Sequence, residues 1–217
     1  MKTKYRLLGT LMVLILFSSC SSVKVTDSWR NLEIPKIKGK KVMVVSKTDD
    51  QTARIRFEND LVENLNKKGY HSVESYVVFP KSSPTKELTE SETLEIKKKL
   101  KNNGIDVVIV TVLKHCEEYT KTTSKNDSFY AIYPSYYGLG YYRGFYGYYG
   151  TVYMDSEPVT VLTENAKKYI LETVVYDLTQ PEEKQLLSVI TTEIDDPQTL
   201  GTVSIDFSKK VVKELNK

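Results

Sequence analysis

Residues 105–113, IDVVIVTVL, constrain this chain more than any other stretch. The run is almost wholly apolar and rich in Val and Ile, with Asn102-Asn103-Gly104 before it and Lys114-His115 after it. A short β-branched run with turn residues at its mouth reads as a strand buried on both faces. Such strands occur where helices cover both sides of a sheet. The run therefore predicts a layered α/β domain with this strand near its centre.

The flanking segments supply the layers. Residues 41–46, KVMVVS, give a second apolar strand. Residues 46–52 carry Asp and Thr suited to cap a helix. Phe57, Leu61 and Leu65 then recur every four residues, with Ile55 and Val62 beside them, up to Lys67-Lys68-Gly69. Glycine after the last periodic residue is a usual helix stop. Residues 70–79, YHSVESYVVF, read as a further strand, closed by Pro80 and Pro84. Thr89 and Glu92 have the spacing of a capping box and open a helix running to about Asn102. Its apolar face is narrow: Ile96 and Leu100, with Leu94 at the edge. Residues 168–177 and 185–193 read as a β-hairpin. Residues 202–215 read as an amphipathic helix with Phe207, Val211 and Leu215 on one face. The predicted order is β-α-β-α-β, a loop, then β-β-α. This is a mixed α/β fold with a single mixed sheet of about five strands flanked by three helices.

The chain opens with a targeting segment. Lys2, Lys4 and Arg6 precede an apolar stretch, residues 7–17, that is too short to span a bilayer comfortably. Phe17-Ser18-Ser19-Cys20 follows and resembles the lipobox of bacterial lipoproteins, with Phe17 where Leu is usual. The resemblance implies a signal peptide at residues 1–19, cleavage before Cys20, and acylation of its thiol and new α-amino group. Several acyl chains make a stable anchor where one is marginal. Ser21 follows Cys20, not the Asp associated with inner-membrane retention. The expected location is therefore the outer membrane, with the domain facing the periplasm. Residues 20–39 are then expected to form the lipid anchor and a polar tether, with Trp29 packed on the body. Residues 40–217 are expected to form the single mixed α/β domain.

Cleavage changes the charge balance. Three of the 31 basic residues and none of the 28 acidic residues lie in residues 1–19. The mature chain would carry equal numbers of each, so no basic face and no nucleic-acid partner is expected. Cys116 is then the one remaining thiol, and the domain must rely on its core rather than on a disulfide.

No motif points to catalysis or to a cofactor. Residues 46–52 link a strand to a helix but contain no glycine, so they are not expected to cradle a phosphate. His115 and Cys116 would lie on opposite faces of a strand, which disfavours a metal site with His71. Asp49-Asp50, Glu117-Glu118 and Asp195-Asp196 sit at element ends, where caps and solvated loops explain them. The unusual feature is residues 129–150, which hold Tyr136, Tyr137, Tyr141, Tyr142, Tyr146, Tyr148 and Tyr149 among repeated glycines. Such composition predicts a long irregular loop. Tyrosine combines apolar area with a hydroxyl, which suits recognition of a protein or glycan partner. The alternative is a low-complexity insertion folded over the domain.

Three further clusters carry a family resemblance. They are Arg54-Ile55-Arg56-Phe57-Glu58 with Leu61, Leu65 and Gly69-Tyr70; Gly104-Ile105-Asp106-Val107-Val108; and Leu171-Glu172-Thr173 with Tyr176-Asp177. On these the chain resembles small outer-membrane lipoproteins of Gram-negative bacteria with no assigned activity. Their domain is similar to the amino-terminal domain of the Tol-system translocation protein and to related periplasmic α/β lipoproteins. The likeness covers most of residues 40–215 outside the Tyr/Gly insertion. Leu187 stands where members usually have an aromatic residue. The resemblance brings no catalytic residues with it. Two function classes follow: a non-enzymatic envelope adaptor or assembly partner, and an envelope hydrolase with an unrecognised site. The sparse histidines and the glycine-free loop favour the first. Metabolic labelling with a fatty-acid analogue is expected to mark the wild-type protein and not Cys20→Ala; equal labelling of both would show that Cys20 is not the lipidated residue.

Overall fold

The computed structural model describes residues 22–32, 34–80, 88–120, 144 and 165–217. Among them six strands form one open, mixed sheet: β1 (Val23–Arg30), β2 (Lys41–Lys47), β3 (His71–Glu74), β4 (Val107–Thr120), β5 (Asn165–Asp177) and β6 (Leu186–Asp195). Four α-helices accompany them: α1 (Gln51–Lys67), α2 (Ser75–Val78), α3 (Glu90–Asn102) and α4 (Leu200–Leu215). The spatial order is β1-β6-β5-β4-β2-β3. Strands β3, β2 and β4 run parallel, and β4, β5, β6 and β1 pair antiparallel.

The expected central strand is central. Val107, Val108, Ile109 and Val110 are all fully buried. Alternation divides them between two cores. Val107 and Ile109 join Val42, Val44, Leu61, Leu65 and Phe207 under α1 and α4. Val108 and Val110 join Met43, Val45, Leu100 and Tyr176 under α3. The capping box at Thr89 forms, with the Glu92 N–H donating to Thr89 Oγ1 at 3.3 Å and the Thr89 N–H to Glu92 Oε2 at 2.8 Å. The hairpin forms as β5 and β6, and Phe207, Val211 and Leu215 are the buried face of α4.

Three sequence expectations are corrected. The sheet has six strands rather than about five, because residues expected to be tether form β1. This strand pairs along β6 from Val23↔Ile194 to Arg30↔Ser188. Its side chains beyond Val25 are exposed, so the backbone pairing left no apolar alternation to read. Trp29 is 48% exposed and is not packed on the body. Finally, the strand expected over residues 70–79 stops at Glu74, and the chain turns into α2.

That break has a local cause in α1. Arg54 and Glu58 lie one turn apart on its inner face, 2% and 0% exposed. Arg54 Nε donates to Glu58 Oε1 at 3.2 Å. The same carboxylate accepts the Ser46 N–H at 2.9 Å, the Ser75 hydroxyl at 2.7 Å and the Tyr76 N–H at 3.1 Å. Arg54 Nη2 donates to Ser75 Oγ at 2.9 Å and to the Phe79 carbonyl at 3.3 Å. Glu58 thus captures donors that a longer β3 would have committed elsewhere, and it caps the turn of α2. Removing one member of a buried ion pair strands the other charge at a cost of about 3–5 kcal/mol. Glu58→Ala is expected to lose that much stability in urea unfolding, and Arg54→Met/Glu58→Leu together should lose far less. A single variant as stable as wild type would show that the pair does not organise this corner.

Candidate functional site

The helices leave β2 and enter β4 on opposite faces of the sheet. Helix α1, after β2, covers one face of the sheet, and α3, before β4, covers the other. Open α/β sheets place ligand crevices outside the carboxyl ends of their parallel strands. A pocket of about 360 Å³ lies there. Sheet residues Ser46, Thr111, Leu113, Tyr169, Leu171 and Ile194 line it from below. Ala53 and Phe57 from α1 and Leu200 and Val203 from α4 line it from above. Lys47, Thr48, Asp50, Gln198 and Thr199 complete it from the connecting loops.

Each wall is fixed by contacts of its own. Ser46 is held through its N–H on Glu58, so the buried ion pair sets the pocket floor. Thr111 and Thr173 share a buried hydroxyl contact of 3.0 Å across β4 and β5. Phe57 tilts against Phe207, with ring centroids 5.2 Å apart, which ties α1 to α4. The two helices also meet through Asn64 Nδ2 donating to Ser208 Oγ at 2.8 Å and through the Ser204 hydroxyl donating to Asp60. The carboxylate of Asp50 is committed as the cap of α1, accepting the Thr52 and Ala53 N–H groups at 2.9 and 3.1 Å. Thr199 caps α4 by accepting the Thr202 N–H at 3.2 Å.

Lys47 is the cation among the described lining residues. It is 7% exposed, and burial lowers its pKa to about 8. The glycine-free stretch that starts at the end of β2, set aside as a phosphate cradle, forms one wall of the pocket. The signal for this pocket in the sequence was the β-α-β-α-β order, which puts the carboxyl ends of β2 and β4 side by side without naming the walls of the pocket.

The residues singled out from sequence fall elsewhere. Cys20 and Tyr136, Tyr137, Tyr141, Tyr142, Tyr146, Tyr148 and Tyr149 lie outside the described residues. Of the insertion, Gly144 is described. It is buried at φ +71°, and a β-carbon there would stand 2.9 Å from Gln185 Oε1 and 3.2 Å from Glu182 Cβ. The positive φ favours glycine there, and a side chain would also crowd Glu182. His71 begins β3, whereas His115 and Cys116 lie on β4 beyond its pairing with β2, so the sheet separates them. Cys116 is half-buried, and burial pushes its thiol pKa up against the opposing charge of Lys167.

No family model matches the chain, and no curated protein matches it in sequence. Solved structures align with it at low identity. A PelC dodecamer from Paraburkholderia phytofirmans aligns at 11% identity over 89% of this chain and 95% of that one, with a TM-score of 0.42. A lipoprotein from Neisseria meningitidis aligns at 11% identity over 82% and 99%, with a TM-score of 0.41. A DUF4136 family protein from Bacteroides thetaiotaomicron aligns at 13% identity over 91% and 100%, with a TM-score of 0.38. None of the three is a Tol-system protein, and at these values the likeness extends to no side-chain chemistry.

Burial couples the titration of Lys47 to folding. Between pH 8 and the ordinary lysine value of 10.5 the unfolded chain binds the proton that the folded chain has released. Stability therefore gains with rising pH across that window, at most about 1.4 kcal/mol per pH unit for one group. Lys47→Met is expected to lose this component of the rise and to be the more stable protein at pH 7. Identical pH profiles for the two proteins would show that Lys47 is solvated.

Proposed function

We propose that this chain is a lipid-anchored, non-enzymatic envelope protein. It is held on the outer membrane through Cys20, faces the periplasm, and binds a protein or glycan partner through its Tyr-rich stretch. The observation that carries this is the seat of Gly144 against Glu182 and Gln185. These residues precede β6, at the end of the sheet opposite Val23, where the chain enters. Tyr142 and Tyr146 are each two residues from Gly144 in sequence. Gly144 thus sits at the end of the sheet opposite the chain entry, which supports a binding stretch that a periplasmic partner reaches away from the anchor. The pocket supports binding over catalysis, since Asp50, its carboxylate, is already committed as a helix cap. An envelope hydrolase is the second reading, and the buried Lys47 is the one observation on its side, because a lysine with a lowered pKa is a candidate base or nucleophile.

Replacing residues 129–150 by a short Gly-Ser linker should abolish capture of crosslinked envelope partners and leave the melting temperature close to wild type. Gly144→Val should weaken capture while the tyrosines remain. Full capture by both variants would refute the binding role of this stretch, and collapse of the fold in the linker variant would make these tyrosines core.

A further inference from the structure

The pocket and the chain entry share one end of the sheet. Val23 pairs with Ile194, which lines the pocket, and Val23 is buried in the same core as Leu171 and Val203. The Asp195 N–H donates to the Ser22 carbonyl at 3.0 Å, so the backbone is already fixed at Ser22. Cys20 stands two residues earlier, and two residues reach at most about 7 Å. A long group borne by Cys20 is therefore tethered beside the strand that supplies Ile194 to the pocket.

The pocket is walled by hydrocarbon. Phe57, Leu113, Leu171, Ile194, Leu200 and Val203 supply its apolar surface. Alternation along β2 turns the Lys47 side chain to the face of the sheet opposite Ser46 and the pocket. The Asp50 carboxylate is taken up by the Thr52 and Ala53 N–H groups, and the Thr199 hydroxyl by the Thr202 N–H. The Thr111 hydroxyl is engaged with Thr173. A charged group or a sugar would find few polar partners here, whereas a flexible hydrocarbon chain needs none. The volume of about 360 Å³ is that of a small-ligand site.

With Cys20 lipidated, a point that rests on the function proposed above, we propose that this pocket receives one of the acyl chains Cys20 carries. Tethering makes the event intramolecular. A connection this short holds the chain at an effective concentration on the order of millimolar. One chain in the pocket leaves the others in the bilayer, and the pocket end of the sheet is then drawn against the membrane.

The test uses the full-length lipidated protein, made in cells fed a fatty acid that bears a photoactivatable diazirine. It is purified into vesicles of unlabelled phosphatidylethanolamine and phosphatidylglycerol and irradiated, and adducts are mapped by peptide mass spectrometry. They are expected on Phe57, Leu171 and Leu200, and should fall about tenfold when Leu171→Trp fills the pocket. Val203→Phe serves as a second filling variant should Leu171→Trp not fold. A Gly-Ser segment of about ten residues inserted after Ser21 leaves the domain untouched. It should lower the yield several-fold, because effective concentration falls as a tether lengthens. Label on Cys20 with adducts confined to other residues would overturn the proposal and leave the anchor standing. Pocket adducts unchanged by filling and by the longer tether would do the same. Equal pocket adducts from a diazirine phospholipid in the vesicle, with an unlabelled anchor, would make a bilayer chain the occupant and also overturn it. No label on Cys20 would refute the anchor of the proposed function, and this inference with it.

Discussion

The buried pair of Arg54 and Glu58 is the interaction on which the arrangement of this domain turns. Desolvating two charges is costly, and the cost is offset only where every lone pair and proton finds a partner. Glu58 meets that condition by drawing on β2, on the start of α2 and on α1 itself, whereas Nη1 of Arg54 is buried without a hydrogen-bond partner among the described residues. The result is a single point where three elements must agree. Helix α1 is docked at one angle, β3 is cut short after four residues, and Ser46 is held at the floor of the pocket. A purely apolar contact at that corner would tolerate sliding of α1 along the sheet. A carboxylate with four donors around it does not.

Parts of this were legible in the sequence for reasons that can be stated. Val107–Val110 declared themselves because a strand buried on both faces needs apolar residues at every position, and few other structures do. Thr89 and Glu92 were legible because a capping box is local, closed within three residues. Phe207, Val211 and Leu215 were legible because one helix face repeats. What escaped was non-local. Strand β1 is held by backbone pairing to residues some 160 positions away and shows water most of its side chains, so composition carried no trace of it. The end of β3 depended on Glu58, whose partners no periodicity reveals. The pocket escaped for the same reason: its walls come from α1, α4, four strands and the loops between them. The glycine-free loop was set aside as a phosphate cradle, and that reading said nothing about its place in an apolar cleft.

The two ends of the sheet have different characters. At one lie the chain entry, the pocket and Lys47; at the other lie the β5–β6 turn and the seat of Gly144. One strand length of β6 separates them, and ten residues of strand span about 33 Å. Polarity of this kind follows from the antiparallel return of β1 along β6, which brings the start of the chain back to the end where β6 stops. Had β1 run in the other direction, the chain entry and the Gly144 seat would have shared an end.

An open sheet also has two margins with unpaired backbone groups, and such margins recruit other strands. Here neither is inviting. Strand β3 offers four residues before the chain coils away into α2. Strand β1 is interrupted by a bulge between Val25 and Asp27 and exposes Lys24, Asp27 and Arg30. The short margin and the kinked, charged one keep a chance meeting of two copies from growing into a continuous ribbon of sheet.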